Sequence, residues 1–198
     1  SEMCIRDRND GLQNQSVFYT KNSIDDPDSL ATVVINPNKL SNDGTVALSG
    51  IYFSNDYKYL GYSISKSGSD WREFYIKDLS TGDELKDHLT WIKFSGMSWA
   101  GDGFYYNAFP KPEKGKELSQ VNQSSKIYYH KIGDSQDEDM VIFSDPENPQ
   151  ISNYPSTTND GRFLMIYRTK GTYGRSLMVK DLKKAKSEFI KIVNDYKS

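Results

Sequence analysis

From residue 16 onward, apolar and polar positions alternate in short runs, and Gly, Asn, Asp and Ser separate the runs. Alternation sends successive side chains to opposite faces of an extended chain, so it predicts strands. SVFYTKN (16–22) is aromatic and β-branched, and ATVVINP (31–37) follows the acidic turn DDPDS and stops at Pro37, as a strand should. After the polar connection NKLSNDGT (38–45) come IYFS (51–54), YLGYSIS (59–65), REFYIKDL (72–79) and, beyond TGDEL, WIKFSGMSW (91–99). Within the hairpin, Asp56 is expected to cap a turn, and Trp71 and Phe74 to fill space between sheets.

The strands recur as a unit. Phe53-Ser54-Asn55-Asp56-Tyr57-Lys58-Tyr59-Leu60 is echoed by Trp99-Ala100-Gly101-Asp102-Gly103-Phe104-Tyr105-Tyr106 and by Ser156-Thr157-Thr158-Asn159-Asp160-Gly161-Arg162-Phe163-Leu164. Asp56, Asp102 and Asp160 stand 46 and then 58 residues apart. Each echo precedes a strand pair: YLGYSIS with WREFYIKDL, FYYNAFP with KIYYHKI, and FLMIYRT with SLMVKDL. This pattern predicts an all-β chain, a partial β-propeller of about three blades of short antiparallel strands. A β-sandwich is the competing architecture, and the internal echo favours blades. The longer second spacing places KPEKGKELSQVNQSS, Lys111 to Ser125, as an insertion between two strands of a blade, on one face of the fold. AKSEFIKIVNDY (185–196) has a possible helical phase, and the preferred reading is a loop leading into a strand, FIKIV.

Residues 1–8 fit this organisation poorly. MCIRDR, Met3 to Arg8, reads as an in-frame translation of a sequencing-library transposon end, with a genuine N-terminal arm as the alternative. The expected division is a non-native segment at 1–8 and an incomplete propeller domain at 9–198. On that reading Cys4, the one cysteine, carries no function and leaves no internal disulfide framework.

The 198 residues suffice for one core, and 25 Lys and Arg against 27 Asp and Glu give a net charge of -2. Basic residues are scattered, so no nucleic-acid partner is expected. Apolar runs fall far short of the roughly 20 residues that cross a bilayer, so no membrane partner is expected either. The compartment, cytoplasmic or periplasmic, stays undecided because the true N-terminus is expected to be missing.

Candidate chemistry is sparse. Gly96-Met97-Ser98-Trp99-Ala100 approaches a nucleophile elbow, but Ala replaces the last Gly and a turn and strand follow where a helix is required, so Ser98 is expected to be a strand hydroxyl. His88, placed in a polar turn ELKDHLT, and His130, ending KIYYHKI, are expected at surface or turn positions. Neither has zinc-ligand spacing, and DSQDED (134–139) lacks the Gly and closing Glu of a calcium loop and reads as a solvated turn. No phosphate-binding loop occurs, so no cofactor, metal or catalytic residue is assigned. Two Asn-x-Ser triplets, at Asn14 and Asn122, come with nothing that implies secretion.

GLQNQSVFY (11–19), NKLSNDGTVALSG (38–50), FSNDYKYLGYSISKSGSDW (53–71) and IKFSGMSWAGDGFYYNAFP (92–110) resemble successive segments of the prolyl oligopeptidase, or prolyl endopeptidase, family. That resemblance runs collinearly from Asn9 to the C-terminus. It implies the early part of a seven-bladed propeller, whose family partner is an α/β-hydrolase domain with a Ser, Asp, His triad that cleaves short peptides after proline. The triad has no matching positions here. The resemblance also implies that Phe94, in the K-F-S segment, contributes to the apolar rim of the substrate pocket, and that Lys111 to Ser125 is a mobile loop near the domain interface. The expected function is therefore a non-catalytic propeller fragment of a proline-specific serine endopeptidase, inactive alone, with short proline-containing peptides reached through the parent. A stand-alone or self-associating β-propeller interaction module is the alternative.

Overall fold

The computed structural model describes residues 4–9, 11, 13–21, 23–115, 123–171 and 173–195. Four antiparallel sheets follow one another along the chain, each a meander in which every strand pairs with the next. The first holds β1 (Cys4–Arg8), β2 (Val17–Lys21) and β3 (Thr32–Ile35). The second holds β4 (Val46–Phe53), β5 (Tyr59–Lys66), β6 (Arg72–Asp78) and β7 (Glu84–Ile92). In the third are β8 (Ser98–Ala100), β9 (Gly103–Ala108), β10 (Lys126–Lys131) and β11 (Met140–Phe143). The fourth contains β12 (Ile151–Thr157), β13 (Phe163–Lys170), β14 (Tyr173–Asp181) and β15 (Ile190–Asp195). The all-β propeller reading holds, with three four-stranded blades and a three-stranded sheet before them. FIKIV enters a strand, as preferred over a helix.

Alternation decides the packing. On β9, Phe104, Tyr106 and Ala108 point back to Phe74 and Ile76 of the second sheet, while Tyr105 points forward with Ile127 to Leu164 and Ile166 of the fourth. Sandwiched between blades, β9 is buried along its whole length. Ile35, Val46, Tyr62 and Ile64 form the corresponding layer between the first two sheets. Phe74 is fully buried in the layer between the second and third sheets, as expected. Trp71 instead lies at the end of its blade, partly exposed, against Trp91.

The repeated turn joins the first and second strands of each blade. Asp56 accepts from the Ser54 hydroxyl at 2.7 Å and the Lys58 N–H at 3.0 Å. Asp160 does the same with Thr158 and Arg162, at 2.5 and 3.0 Å. Ala100 lacks the hydroxyl in the middle copy, and Asp102 takes the Tyr129 hydroxyl at 2.8 Å instead.

Three sequence expectations need correction. WIKFSGMSW is not one strand: Trp91 and Ile92 end β7, residues 93–97 cross to the next blade, and Ser98 starts β8. ELKDHLT is not a turn but most of β7, whose Asp87 and Leu89 point inward while polar neighbours point out. β11 and β12 lack a clear strand signal in the sequence, and Pro155 interrupts the second. That proline is tolerated because β12 is an edge strand of its sheet. Cys4–Arg8 pairs in register with Val17–Lys21 as β1. Such pairing uses main-chain groups, which any side-chain sequence supplies.

Candidate functional site

Because strands alternate in direction, the second-to-third turn of each blade and the crossing to the next blade leave from the same end of the fold. At that end, the turn between β5 and β6 brings Trp71, the β7–β8 crossing brings Lys93 and Phe94, and the start of the β9–β10 connection brings Lys111. The expected insertion does lie between β9 and β10; its residues 116–122 lie outside the described residues.

These side chains form a ladder of rings and cations. Trp71 and Trp91 meet edge to face with centroids 5.6 Å apart. The Lys93 ammonium lies 5.2 Å from the Trp71 ring and 5.3 Å from Phe94, and Lys111 lies 5.4 Å from Trp91. Aromatic faces carry negative charge density that attracts such cations. Beside the indoles is a cavity of about 340 Å³ whose wall includes Lys66, Ser69, Arg72 and Thr90. Burial opposes the ionisation of Glu73 on the same wall, yet hydrogen bonds from Lys66, Tyr75 and His88 hold its carboxyl down at about 2.

Two bulky residues here occupy the left-handed region, Trp91 at φ 60 and Phe94 at φ 55. A large side chain is rarely found there, and such strain concentrates at functional positions. The neighbouring Ser95 is buried, its hydroxyl accepting from Asn107 N–H at 2.9 Å and donating to Gly96 O at 2.9 Å. The crossing is thus pinned to β9 while Phe94 stays 49% exposed. Phe94 belongs to none of the core layers. Trp91, Lys93 and Lys111 carry no signal in the sequence, since neither backbone strain nor ring and cation contacts across three segments have a linear signature.

The other candidates play structural parts. Ser98 donates to Pro155 O at 2.9 Å, tying the third blade to the fourth. His88 is exposed as expected, but on a strand, stacked on Tyr75 at 4.6 Å and 2.8 Å from Glu73. His130 is neither surface nor turn: it is fully buried, with Nδ1 2.7 Å from Asp139 and Nε2 3.0 Å from Asp87. Burial pulls its pKa down, but hydrogen bonds to the two carboxylates outweigh that and push it up to about 9. With both nitrogens donating, it has no lone pair for a general base. DSQDED is likewise more than a solvated turn, for the Asp139 side chain is buried and also accepts from the Tyr106 hydroxyl at 2.7 Å.

Fold and face together define a class, a run of propeller blades whose strained aromatic end is presented outward. The chain belongs to the prolyl oligopeptidase family, matching its N-terminal beta-propeller domain over residues 2–198. It is 38% identical to a prolyl endopeptidase of Elizabethkingia meningoseptica over 192 residues, covering 96% of this chain and 26% of that protein. Against a prolyl endopeptidase of Dictyostelium discoideum the identity is 36%, over 59% of this chain and 20% of the relative. In three dimensions it resembles prolyl oligopeptidase B from Galerina marginata bound to a 35mer hydrolysis and macrocyclization substrate, with TM-score 0.87 and 29% identity over 98% of this chain and 30% of that one. The chain thus spans about a quarter of the length of its curated relatives.

Proposed function

We propose that this chain is the non-catalytic propeller part of a proline-specific serine endopeptidase, and that its strained aromatic end frames the peptide entering the active site. The carrying observation is Phe94, held outward at positive φ by a buried anchor where a core aromatic would have turned inward. The prolyl endopeptidases it resembles support the substrate class. Acyl transfer itself would belong to the hydrolase domain, and the propeller would contribute exclusion of water and of large substrates.

The test compares the isolated chain with the intact parent on a fluorogenic Gly-Pro peptide. Cleavage is expected from the parent alone. Phe94→Ala in the parent should lower kcat/KM by about tenfold, the loss of one apolar contact worth roughly 1–2 kcal/mol. A parent that leaves the peptide intact, or an isolated chain that cleaves it, overturns the reading.

A further inference from the structure

The cations of the aromatic end point to a feature of the ligand that the peptidase reading does not supply. Lys93 has a side chain only 12% exposed, and its carboxylate partner Asp70, at 3.4 Å, is 66% exposed. An ion pair with one partner in solvent contributes little, and Asp70 neutralises the sheltered ammonium weakly. Lys111 presents a second ammonium to the Trp91 indole. Glu73, on the wall of the adjoining cavity, is engaged by Lys66, Tyr75 and His88. The result is a local cationic strip over edge-to-face rings on a chain whose net charge is -2.

We infer that the strip Phe94, Lys93, Trp71, Trp91, Lys111 is a binding surface for short peptides that carry an acidic side chain beside an apolar one. The carboxylate would settle against the Lys93 and Lys111 ammonium groups, and the apolar side chain would lie over the exposed Phe94 ring and the half-buried indole edges. Charge-assisted contacts strengthen where water is excluded, which the rings accomplish. The inference rests on the peptidase reading for the ligand being a peptide, and on the geometry for its charge. It makes acidic flanking residues preferred over basic ones.

The experiment titrates the 198-residue chain with two blocked peptides, identical except for Glu or Lys next to a Phe, followed by calorimetry and by the indole N–H signals in NMR. The Glu peptide should bind about tenfold more tightly than the Lys peptide, a difference of ~1.4 kcal/mol, and weaken as salt is raised. Its signature is movement of the Trp71 and Trp91 indole signals while buried Trp99 stays fixed. Replacing both lysines, Lys93→Met with Lys111→Met, should abolish the difference between the peptides. Equal affinity for the two peptides, no binding of either, or shifts confined to Trp99 overturns the inference. The indole readout on the unaltered chain decides even if the double variant unfolds. No cleavage is measured, so this surface can fail while the parent still cleaves after proline, or stand while that reading falls.

Discussion

His130 shows what one residue contributes to holding blades together. It lies on β10 and reaches Asp87 of β7 in the preceding blade as well as Asp139 of its own, with Tyr106 and Gly133 N–H completing the carboxylates' partners. Replacing it by Gln leaves two buried carboxylates without their shared cation, so the melting temperature should fall by the equivalent of about 3–5 kcal/mol. The pH dependence has a definite sign. The folded pKa, about 9, lies above the ordinary 6.5, so the folded state holds the proton more tightly. Stability from this group is complete below pH 6.5 and is lost as pH rises through about 9. Asp87 works oppositely: burial raises its pKa, but His130 and the Gly133 N–H lower it further, so its contribution disappears on acidification. Melting curves across pH should therefore decline on the alkaline side in the unaltered chain and lose that decline in His130→Gln. An alkaline limb that survives the substitution would show that another group is responsible.

At the scale of strands and turns, Gly103 separates what sequence can show from what packing adds. The run Gly101-Asp102-Gly103 reads as turn chemistry, and Gly101 does take φ +63 for that reason, but Gly103 has no such requirement. Its constraint is room: an added Cβ would overlap the main-chain oxygen of His130 and lie 2.9 Å from its carbonyl carbon. Main chain cannot swing aside, so Gly103→Ala should part β9 from β10 and cost roughly 3 kcal/mol or more, read by denaturant unfolding. A loss under about 0.5 kcal/mol would mean the ladder shifts freely. The same distinction runs through the fold. Strands such as β5, β6, β10 and β13 were legible because alternation and turn residues are local. β7 was missed because its outward row is Glu84, Lys86 and His88, which makes a strand resemble a polar loop. β12 was missed because an edge position, invisible in one dimension, excuses its proline. Phe94 was reachable only through family resemblance, and the rest of its ladder comes from three segments that meet in space alone.

Across the whole molecule, the fourth sheet carries an apolar face that its neighbour does not use. Leu164, Ile166 and Met178 pack inward on the third sheet. The alternate positions line up across the strands in two rows, Tyr154, Tyr167, Leu177 and Val193, then Met165, Val179 and Ile190. Tyr167 is 44% exposed, Val193 46% and Ile190 65%. Rows of this kind are what a further blade covers, and in the chain alone they meet water, so self-association should appear as concentration rises. Tyr167→Lys with Val193→Lys should shift the association midpoint upward by at least about tenfold, since each substitution sets a charge where an apolar contact formed. The β-sheet signal in circular dichroism should be unchanged. The form of association then discriminates between functions. A head-to-tail contact that does not close yields a ladder of sizes, as expected of blades belonging to a longer propeller, whereas one that closes gives a single species and favours a self-assembling interaction module. A sharply cooperative monomer at every concentration would contradict both, because it would mean that this face is stable in water without a partner.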